Sequence, residues 1–338
     1  MTEAAKIKPN ACIDIHTHFV PRELPRNPLP DKFDQWPGMK CGQCGRRTFY
    51  AGEQAFRDLN PNTWSPLERI GEMNETGIGL QVLSPMPELL GYWLEPAQTA
   101  VVADYVNTEL GKVVSAHPTR FTGFGMATMQ DPSMAAREIS LFRKEFGLIG
   151  VEIGSHINGV PLGDPRFDEF FAAAEENNLA VFVHALHPPL DRLPALPLMD
   201  ALLAFPQEGA HAGVALMIGN VLHRYPDLHL ALSHGGGTLP WIAGRLRNGW
   251  SCSDAMRQAI PMDPMEFLQN LWFDSLVYEP KVLTALLELV GTDRVMIGTD
   301  YPFLIQEPDP IGFLQRCQLN QETLDLIQTK NAQQFLRL

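Results

Sequence analysis

Eight short apolar segments, rich in β-branched residues, alternate with helical patterns along this 338-residue chain. Each segment ends in, or is followed by, a polar residue or glycine. The segments are Cys12–His16, Ile78–Ser84, Phe121–Met129, Gly147–Ile153, Ala180–His184, Leu228–Ser233, Leu271–Ser275 and Arg294–Gly298. Fully apolar strands that alternate with helices are typical of a parallel sheet covered on both faces. The pattern predicts an α/β fold, a (β/α)8 TIM barrel, with a doubly wound open sheet as the alternative.

The helical patterns between these strands carry start signals. Asp131-Pro132 and Asp164-Pro165 each place a capping acid before a proline in the first turn. The predicted helices are Pro66–Thr76, Gln98–His117, Pro132–Phe146, Asp164–Asn177, Leu239–Asn248, Pro280–Val290 and Gln321–Leu336.

Two proline-rich stretches do not fit a bare barrel. Residues 20–65 follow the first strand and residues 187–212 follow the fifth. We expect both to be long loops at the C-terminal face, where barrel enzymes build their substrate pockets. Residues 1–338 are then a single domain with an insertion at about 20–65.

The composition argues against nucleic-acid binding, membrane association and a secreted disulfide-rich protein. The formal net charge is -13, whereas nonspecific binding to nucleic acid or to anionic membranes needs a basic surface. The N-terminal sequence does not resemble a secretory signal, and no run of about 18 apolar residues predicts a membrane span. Five cysteines are few and odd in number, which favours a reducing cytoplasm over a disulfide scaffold.

Polar side chains recur where the predicted strands end. His16 and His18 are two residues apart in the first strand, so they point to the same side. His184, His234 and Asp300 follow the apolar strands of AVFVH, LALSH and VMIGTD. Imidazole and carboxylate are ligands of zinc and other first-row metals, and a buried polar group needs a partner. Five such groups at one end of a barrel predict a metal site rather than separate hydrogen-bonded residues.

The segments IDIHTHFVP, VFVHALHP, SHGGGTLPWIAGR and GTDYPF resemble the amidohydrolase superfamily. Within it, they are similar to the branch of the 2-amino-3-carboxymuconate 6-semialdehyde decarboxylases and related non-oxidative decarboxylases. FRDLNPNTWSPLERIGEM and GVEIGSH extend the resemblance, which runs from about residue 11 to residue 336.

The resemblance implies one divalent metal, usually zinc, with manganese as the alternative. The implied ligands are His16, His18, His184 and Asp300, with His234 as the general acid/base beside a water on the metal. Asp300 is expected to stay ionised and to help hold this water. The fourth strand has no lysine to bridge two metals, which favours a mononuclear site. Glu152 on that strand is a candidate extra ligand; a hydrogen-bonded or salt-bridged acid is the alternative.

The resemblance also implies a carboxylic acid substrate. Arg57 matches the family's substrate-binding arginine, and Arg245 matches an arginine that reaches the pocket of the neighbouring subunit in a homodimer. A guanidinium group suits a bidentate carboxylate. Phe303 is expected to form a pocket wall, although plain packing is equally consistent with its position. Trp64 similarly lines the pocket or fixes the early loop.

One segment departs from the family pattern. After the fifth strand, the chain reads His184-Ala185-Leu186-His187, where the carboxymuconate enzymes have His-Pro-Trp-Asp. His187 is a candidate substrate contact or a loop residue at the pocket edge. The first hypothesis, which the resemblance implies, is a metal-dependent non-oxidative decarboxylase of a small unsaturated or aromatic carboxylic acid. A hydrolase or hydratase on the same scaffold is the second hypothesis, and a catalytically silent metal-binding protein is the third.

Two smaller patterns remain. Cys41-Gly42-Gln43-Cys44 resembles half of a zinc knuckle, but no second pair follows, which favours a tight turn. His156 follows the fourth strand and is a candidate lining residue.

Overall fold

The computed structural model of the protein describes residues 11–28, 35–42, 45–189 and 194–338. The described residues form thirteen strands, numbered here in chain order. They are β1 (Ile13–Phe19), β2 (Pro37–Cys41), β3 (Arg47–Ala51), β4 (Gln54–Leu59), β5 (Leu80–Pro85), β6 (Phe121–Gly125), β7 (Gly150–Gly154), β8 (His156–Ile157), β9 (Val160–Pro161), β10 (Ala180–His184), β11 (Leu230–Leu232), β12 (Trp272–Asp274) and β13 (Val295–Met296).

Eight of these strands form one parallel sheet in the order β1-β5-β6-β7-β10-β11-β12-β13. Parallel bridges pair Asp14 with Ile297 and Thr17 with Tyr301, so the first strand meets the segment of the last one. The amide of Ile15 donates to the Ile297 carbonyl at 2.9 Å. The (β/α)8 barrel is therefore confirmed, and the open doubly wound sheet is excluded.

The same residues form thirteen α-helices. They are α1 (Pro66–Thr76), α2 (Pro96–Ala116), α3 (Pro132–Ile139), α4 (Asp168–Glu176), α5 (Phe205–Ile218), α6 (Val221–Arg224), α7 (Leu239–Cys252), α8 (Asp254–Ala259), α9 (Pro264–Asn270), α10 (Pro280–Val290), α11 (Pro310–Arg316), α12 (Gln321–Asp325) and α13 (Asn331–Leu336). Every predicted helix is present, although π-helical turns at Phe142–Phe146 and Leu326–Lys330 interrupt two of them. Asp131 caps α3 by accepting from the Met134 amide, as its sequence predicts.

The prediction of a loop over residues 187–212 is wrong in its second half, where α5 begins at Phe205. Its prolines made this segment look like a loop. Two glycines of α5 have a packing role, because a Cβ on Gly213 would lie 2.4 Å from Leu239 in α7. A Cβ on Gly209 would lie 3.2 Å from Gly236. Helix α5 therefore packs closely on α7 and on the turn after β11.

The insertion at residues 20–65 is also more regular than a loop. Strands β2, β3 and β4 pair as an antiparallel sheet. In β3, Arg47, Phe49 and Ala51 are buried and alternate with half-buried residues, which is the pattern of a strand with one face against a core. This sheet places the residues of β4 next to the barrel.

The histidines lie at one end of a buried aromatic cluster. Phe335 of α13 lies 6.3 Å from Phe124 and 5.6 Å from Trp272 between ring centroids. Phe182 contacts Phe124 at 5.9 Å and His16 at 5.0 Å. The cluster therefore separates α13 from the carboxyl ends of the strands. Among the described residues, no helix is both long and apolar enough to span a membrane.

Candidate metal centre

Strand β1 presents two imidazoles with their Nε2 atoms facing each other. His16 Nδ1 lies 2.7 Å from Asp274 Oδ2, and His18 Nδ1 lies 3.2 Å from the Pro85 carbonyl oxygen. Both acceptors require a proton on Nδ1, so in the neutral form that binds a metal each imidazole has its lone pair on Nε2. The two Nε2 atoms are 3.1 Å apart, and both rings are fully buried.

His184 completes this cluster from the opposite side of the barrel, whereas Asp300 comes from the segment after β13, which pairs with β1. His184 Nδ1 donates to the Ala185 carbonyl at 2.7 Å, and its Nε2 has no hydrogen-bond partner among the described residues. Asp300 follows β13 in a left-handed conformation with φ of 63°. Its Oδ1 lies 3.0 Å from His18 Nε2 and 3.4 Å from His16 Nε2. The four ligand atoms all lie within 4.8 Å of one another.

The donor set fits a divalent metal. Three imidazoles and one carboxylate oxygen converge, and His184 Nε2 and Asp300 Oδ1 are buried without hydrogen-bond partners in the part of the chain that the structure describes. Buried polar atoms of this kind are costly unless a ligand reaches them. Metal-binding histidines also hold their second nitrogen against a carboxylate or carbonyl, as all three do here. These four residues are the predicted ligands, and the structure brings them together.

The electrostatics of the cluster favour a bound positive charge. Burial acts to lower the pKa of His16, but its hydrogen bond to Asp274 and the adjacent Asp300 carboxylate outweigh it and raise this pKa to about 10. Burial opposes ionisation of Asp300, yet the adjacent His16 and His18 imidazoles hold its pKa well below the usual range. Burial and the charges of neighbouring imidazoles lower the pKa of His184 strongly. A divalent cation would supply the charge that the two carboxylates require.

His234 lies beside the four-residue cluster. Its ring centroid is 5.0 Å from that of His184 and 5.1 Å from that of His16. Its Nδ1 lies 2.9 Å from Ser233 Oγ. Burial, with the charge of His16 as a second cause, lowers the pKa of His234 to about 4. The imidazole is therefore neutral near pH 7 and can accept a proton.

The turn after His234 uses all three glycines that follow. Gly235, Gly236 and Gly237 all have φ between 59° and 74°, in the left-handed region that favours glycine. A Cβ on Gly237 would lie 2.0 Å from the Pro206 carbonyl oxygen, so the turn also needs glycine for its close approach to α5.

Asp274, at the end of β12, is a site residue that the sequence interpretation missed. Its Oδ2 accepts hydrogen bonds from His16 Nδ1 at 2.7 Å and from the His234 amide at 2.8 Å. Its Oδ1 accepts from the amides of Gly235 at 2.7 Å and Leu276 at 3.1 Å. The signal was present, because Asp274 follows an apolar strand in the same way as Asp300.

Glu152 lies near the centre but outside the four-atom cluster. It is fully buried, neither of its carboxylate oxygens has a hydrogen-bond partner within residues 11–28, 35–42, 45–189 and 194–338, and its Oε2 lies 3.9 Å from His18 Nδ1. Burial raises the pKa of Glu152 to about 8. The carboxyl group is thus held in a dry environment beside a predicted ligand.

Phe303 lies between Arg57 and the predicted metal ligand His18. The Phe303 ring stacks on His18 with centroids 4.8 Å apart, and the Arg57 guanidinium lies 4.1 Å from the Phe303 ring centroid. Arg57 Nη2 donates to Glu88 Oε1 at 2.9 Å. The structure therefore brings Arg57 and Phe303 to the mouth of the barrel, and it adds Glu88, which the sequence interpretation missed.

The remaining predicted residues lie farther out. Arg245 is exposed on α7 and forms no ion pair with any described residue. His187 is exposed after β10, with its ring centroid 5.9 Å from that of Trp93. His156 Nε2 lies 3.3 Å from the His187 carbonyl oxygen. Trp64 is partly buried against the main core. Cys41 is exposed, whereas its proposed partner Cys44 lies outside the described residues.

Comparison with known proteins places this site in a family. The family model described as Amidohydrolase matches residues 13–338. The chain is 32% identical to the 2-amino-3-carboxymuconate-6-semialdehyde decarboxylase of Dictyostelium discoideum, over 96% of this chain and 91% of that protein.

Two solved structures share the fold. The 5-carboxyvanillate decarboxylase LigW from Sphingomonas paucimobilis has a TM-score of 0.81 and 22% identity, covering 97% of this chain and 99% of that one. A dihydroxybenzoic acid decarboxylase from Polaromonas sp. JS666, with bound manganese and the inhibitor 2-nitroresorcinol, has a TM-score of 0.77 and 21% identity, with 97% of both chains covered. The family match over nearly the whole chain, together with the Dictyostelium relative, shows that this protein belongs to the amidohydrolase family.

Proposed function

We propose that this protein is a metal-dependent, non-oxidative decarboxylase of a small unsaturated or aromatic carboxylic acid. The observation that carries the proposal is the convergence of three Nε2 lone pairs and Asp300 Oδ1 within 4.8 Å, with His234 at its side. The decarboxylase names of the Dictyostelium and Polaromonas proteins support the same reaction class.

His16, His18, His184 and Asp300 would hold the metal. When bound, a divalent metal lowers the pKa of a water molecule and polarises a substrate oxygen. Three imidazole ligands favour zinc, and the manganese in the Polaromonas structure makes that ion the second candidate. We propose one metal per chain, because the fourth barrel strand carries Glu152 and has no lysine.

His234 moves the proton in the proposed reaction. As a neutral imidazole, it accepts a proton and then gives it to the substrate carbon that bears the carboxylate. The new C–H bond interrupts conjugation at that carbon. The bond to the carboxylate then breaks, its electron pair restores the conjugated system, and carbon dioxide leaves. The net change replaces a carboxylate by hydrogen and consumes one proton.

Arg57 and Phe303 are the proposed substrate-binding groups. The guanidinium lies one aromatic ring from His18, so a carboxylic acid held by Arg57 would lie beside the metal. Asp300 keeps a negative charge next to the reacting groups. His187 is exposed at the same face and is proposed as a contact at the pocket edge.

We further propose a cytoplasmic homodimer in which residues 1–338 act as one domain. Exposed apolar side chains support a second copy as the partner, since exposed apolar surface can mark an interaction site. Four of them lie in one segment, Leu196, Leu198, Leu202 and Leu203, and Trp241 is exposed on α7. Trp241 and Arg245 lie one turn apart on α7, so an interface there would carry Arg245 toward a neighbouring subunit.

The test is a reaction assay with metal-loaded protein. Hydroxybenzoates, carboxymuconate semialdehydes and lactones are supplied, and release of carbon dioxide is followed beside addition of water. Carbon dioxide release from an acid supports the proposal, whereas ring opening or hydration alone would support the hydrolase or hydratase alternative. Metal analysis should give one equivalent per chain, and two equivalents would contradict the mononuclear site.

A further inference from the structure

Arg69 on α1 is a fully buried cation whose hydrogen-bond partners are neutral oxygen atoms. Its Nη2 donates to the His18 carbonyl, and its Nη1 donates to Gln81 Oε1 at 3.1 Å. Its Nε is buried without a hydrogen-bond partner in the part of the chain that the structure describes. Asp14 and Glu72 act on Arg69 through their charges, but neither is a hydrogen-bond partner within that part. Because burying such a cation costs free energy, its position needs an explanation.

The guanidinium of Arg69 contacts two chain segments that carry predicted metal ligands. One segment is β1, where the His18 carbonyl accepts from Nη2. The other follows β13, where the Tyr301 ring centroid lies 4.9 Å from the guanidinium carbon and Tyr301 directly follows Asp300 in the chain. The His18 amide also donates to the Tyr301 carbonyl at 2.7 Å. Arg69 therefore touches both sides of the junction between the two segments.

The two ligands at this junction have to be held by their surroundings. Asp300 has φ of 63°, in the left-handed region that residues other than glycine rarely adopt. A conformation of this kind persists only where the neighbouring groups fix it. Asp300 Oδ1 lies 3.0 Å from His18 Nε2, so a movement of either segment changes the spacing of these two ligand atoms.

We infer that Arg69 is a positioning residue of the metal centre, which fixes the backbone of His18 against the segment of Asp300. The inference rests on the proposed function only in taking these two residues as metal ligands. A lysine in place of Arg69 would keep the charge. One ammonium group cannot replace a planar guanidinium that donates in two directions while it lies against the Tyr301 ring. The shape of the side chain, and not its charge alone, is therefore what the role requires.

Plain packing is the alternative role, because Arg69 also joins α1 to β5. Arg120 offers a matched control for this alternative. Its Nε and Nη2 donate to the carbonyls of Gly79 and Ile78 at 2.9 and 3.2 Å, and its Nη1 donates to Asn74 Oδ1 at 2.8 Å. Arg120 thus fastens α1 to the start of β5 with contacts of the same kind. None of these partners lies in a segment that carries a predicted metal ligand.

The experiment compares the wild-type protein with Arg69→Lys and Arg120→Lys, each as the full chain, with Co²⁺ as the metal probe. Cobalt is added to metal-free protein, its visible absorption reports the coordination geometry, and competition with a chromophoric chelator gives its affinity. Loss of a group that orients a metal ligand typically costs about 10- to 100-fold in metal affinity. We expect Arg69→Lys to lose affinity by such a factor and to change the cobalt absorption. Arg120→Lys should lower the midpoint of thermal unfolding and keep both metal readouts.

Gln81→Met provides the test if Arg69→Lys does not fold. It removes the acceptor of Arg69 Nη1 and leaves the predicted metal ligands unchanged. The guanidinium then loses one of the contacts that hold it against His18. We expect a smaller loss of cobalt affinity than the replacement of Arg69 would cause, together with a changed cobalt absorption.

Two results would overturn the role of Arg69. One is a wild-type cobalt spectrum and affinity in folded Arg69→Lys, or in Gln81→Met if Arg69→Lys does not fold. The other is an equal change in Arg69→Lys and Arg120→Lys, which would assign the effect to lost stability. Carbon dioxide release tests the proposed reaction separately. A wild-type protein that releases none refutes the reaction and leaves the role of Arg69 standing, whereas no cobalt binding by the wild-type protein would refute both.

Discussion

Replacing Asp274 by asparagine should weaken metal binding without removing any metal ligand. The carboxylate accepts four hydrogen bonds, two on Oδ2 from His16 Nδ1 and the His234 amide, and two on Oδ1 from the amides of Gly235 and Leu276. Asparagine turns one of these oxygens into a donor. Whichever way the amide is oriented, two of the four donors lose their acceptor.

The size of the effect follows from these contacts. An unpaired buried donor costs about 1–3 kcal/mol, so two of them cost roughly 2–6 kcal/mol of unfolding free energy. Loss of a partner behind a metal-binding histidine typically costs about 10- to 100-fold in metal affinity. If the asparagine oxygen faces His16, the imidazole keeps its tautomer and the loss of affinity should be near the lower limit.

The assay has two parts. Zinc affinity is measured by competition with a chromophoric chelator, and stability is measured by thermal unfolding with and without zinc. Asp293→Asn, a substitution of an exposed aspartate, is the control and should leave both values unchanged. Zinc affinity within about twofold of wild type in Asp274→Asn would refute the view that Asp274 holds His16 in its ligating orientation.

Three further predictions concern the groups around the centre. His234→Ala should keep its zinc and lose about two or more orders of magnitude in turnover, which is the usual scale for acid–base groups. The control His211→Ala, at an exposed position, should keep its turnover. Turnover retained in His234→Ala would reject His234 as the general acid/base. Arg57→Ala should raise KM by about 10- to 100-fold with a smaller change in kcat, because it removes a charged hydrogen bond to the substrate; steady-state kinetics with an unchanged KM would exclude it from the site. In metal-free protein, Glu152 has its pKa raised by burial from 4.5 to about 8, so the folded state holds a proton that the unfolded chain releases. The unfolding free energy that Glu152 contributes is therefore present below about pH 4.5 and is lost as the pH rises through 8. Denaturant titrations should show this decline in the wild-type protein and a weaker one in Glu152→Gln, and equal slopes would contradict it.

The sequence was sufficient to predict the barrel because the strands are short apolar runs that alternate with helical patterns. Polar residues at the strand ends located His16, His18, His184, His234 and Asp300, and the family resemblance then selected four of them as metal ligands. The same signal would also have located Asp274, whose strand was predicted correctly although its terminal carboxylate was not considered. Residues that lie on regular elements were therefore predictable.

Contacts between distant segments were not predictable in this way. Glu88 lies in a short turn, and its pairing with Arg57 depends on how the β2-β3-β4 sheet sits over β5. The start of helix α5 was not predicted because the proline-rich segment before it is typical of a loop, whereas Gly209 and Gly213 in the helix show their packing role only in the folded structure. Such features depend on tertiary packing, which local patterns do not contain.

The barrel closes where β1 pairs with the segment after β13, and this line of pairing, the seam, has a consequence for biosynthesis. His16 and His18 are translated early, whereas Asp300, on the other side of the seam, is added near the end of the chain. A nascent polypeptide that has not yet exposed its final strand holds imidazoles without their carboxylate partner. Closure of the barrel and assembly of the four proposed ligands therefore both require the chain to extend at least to Asp300.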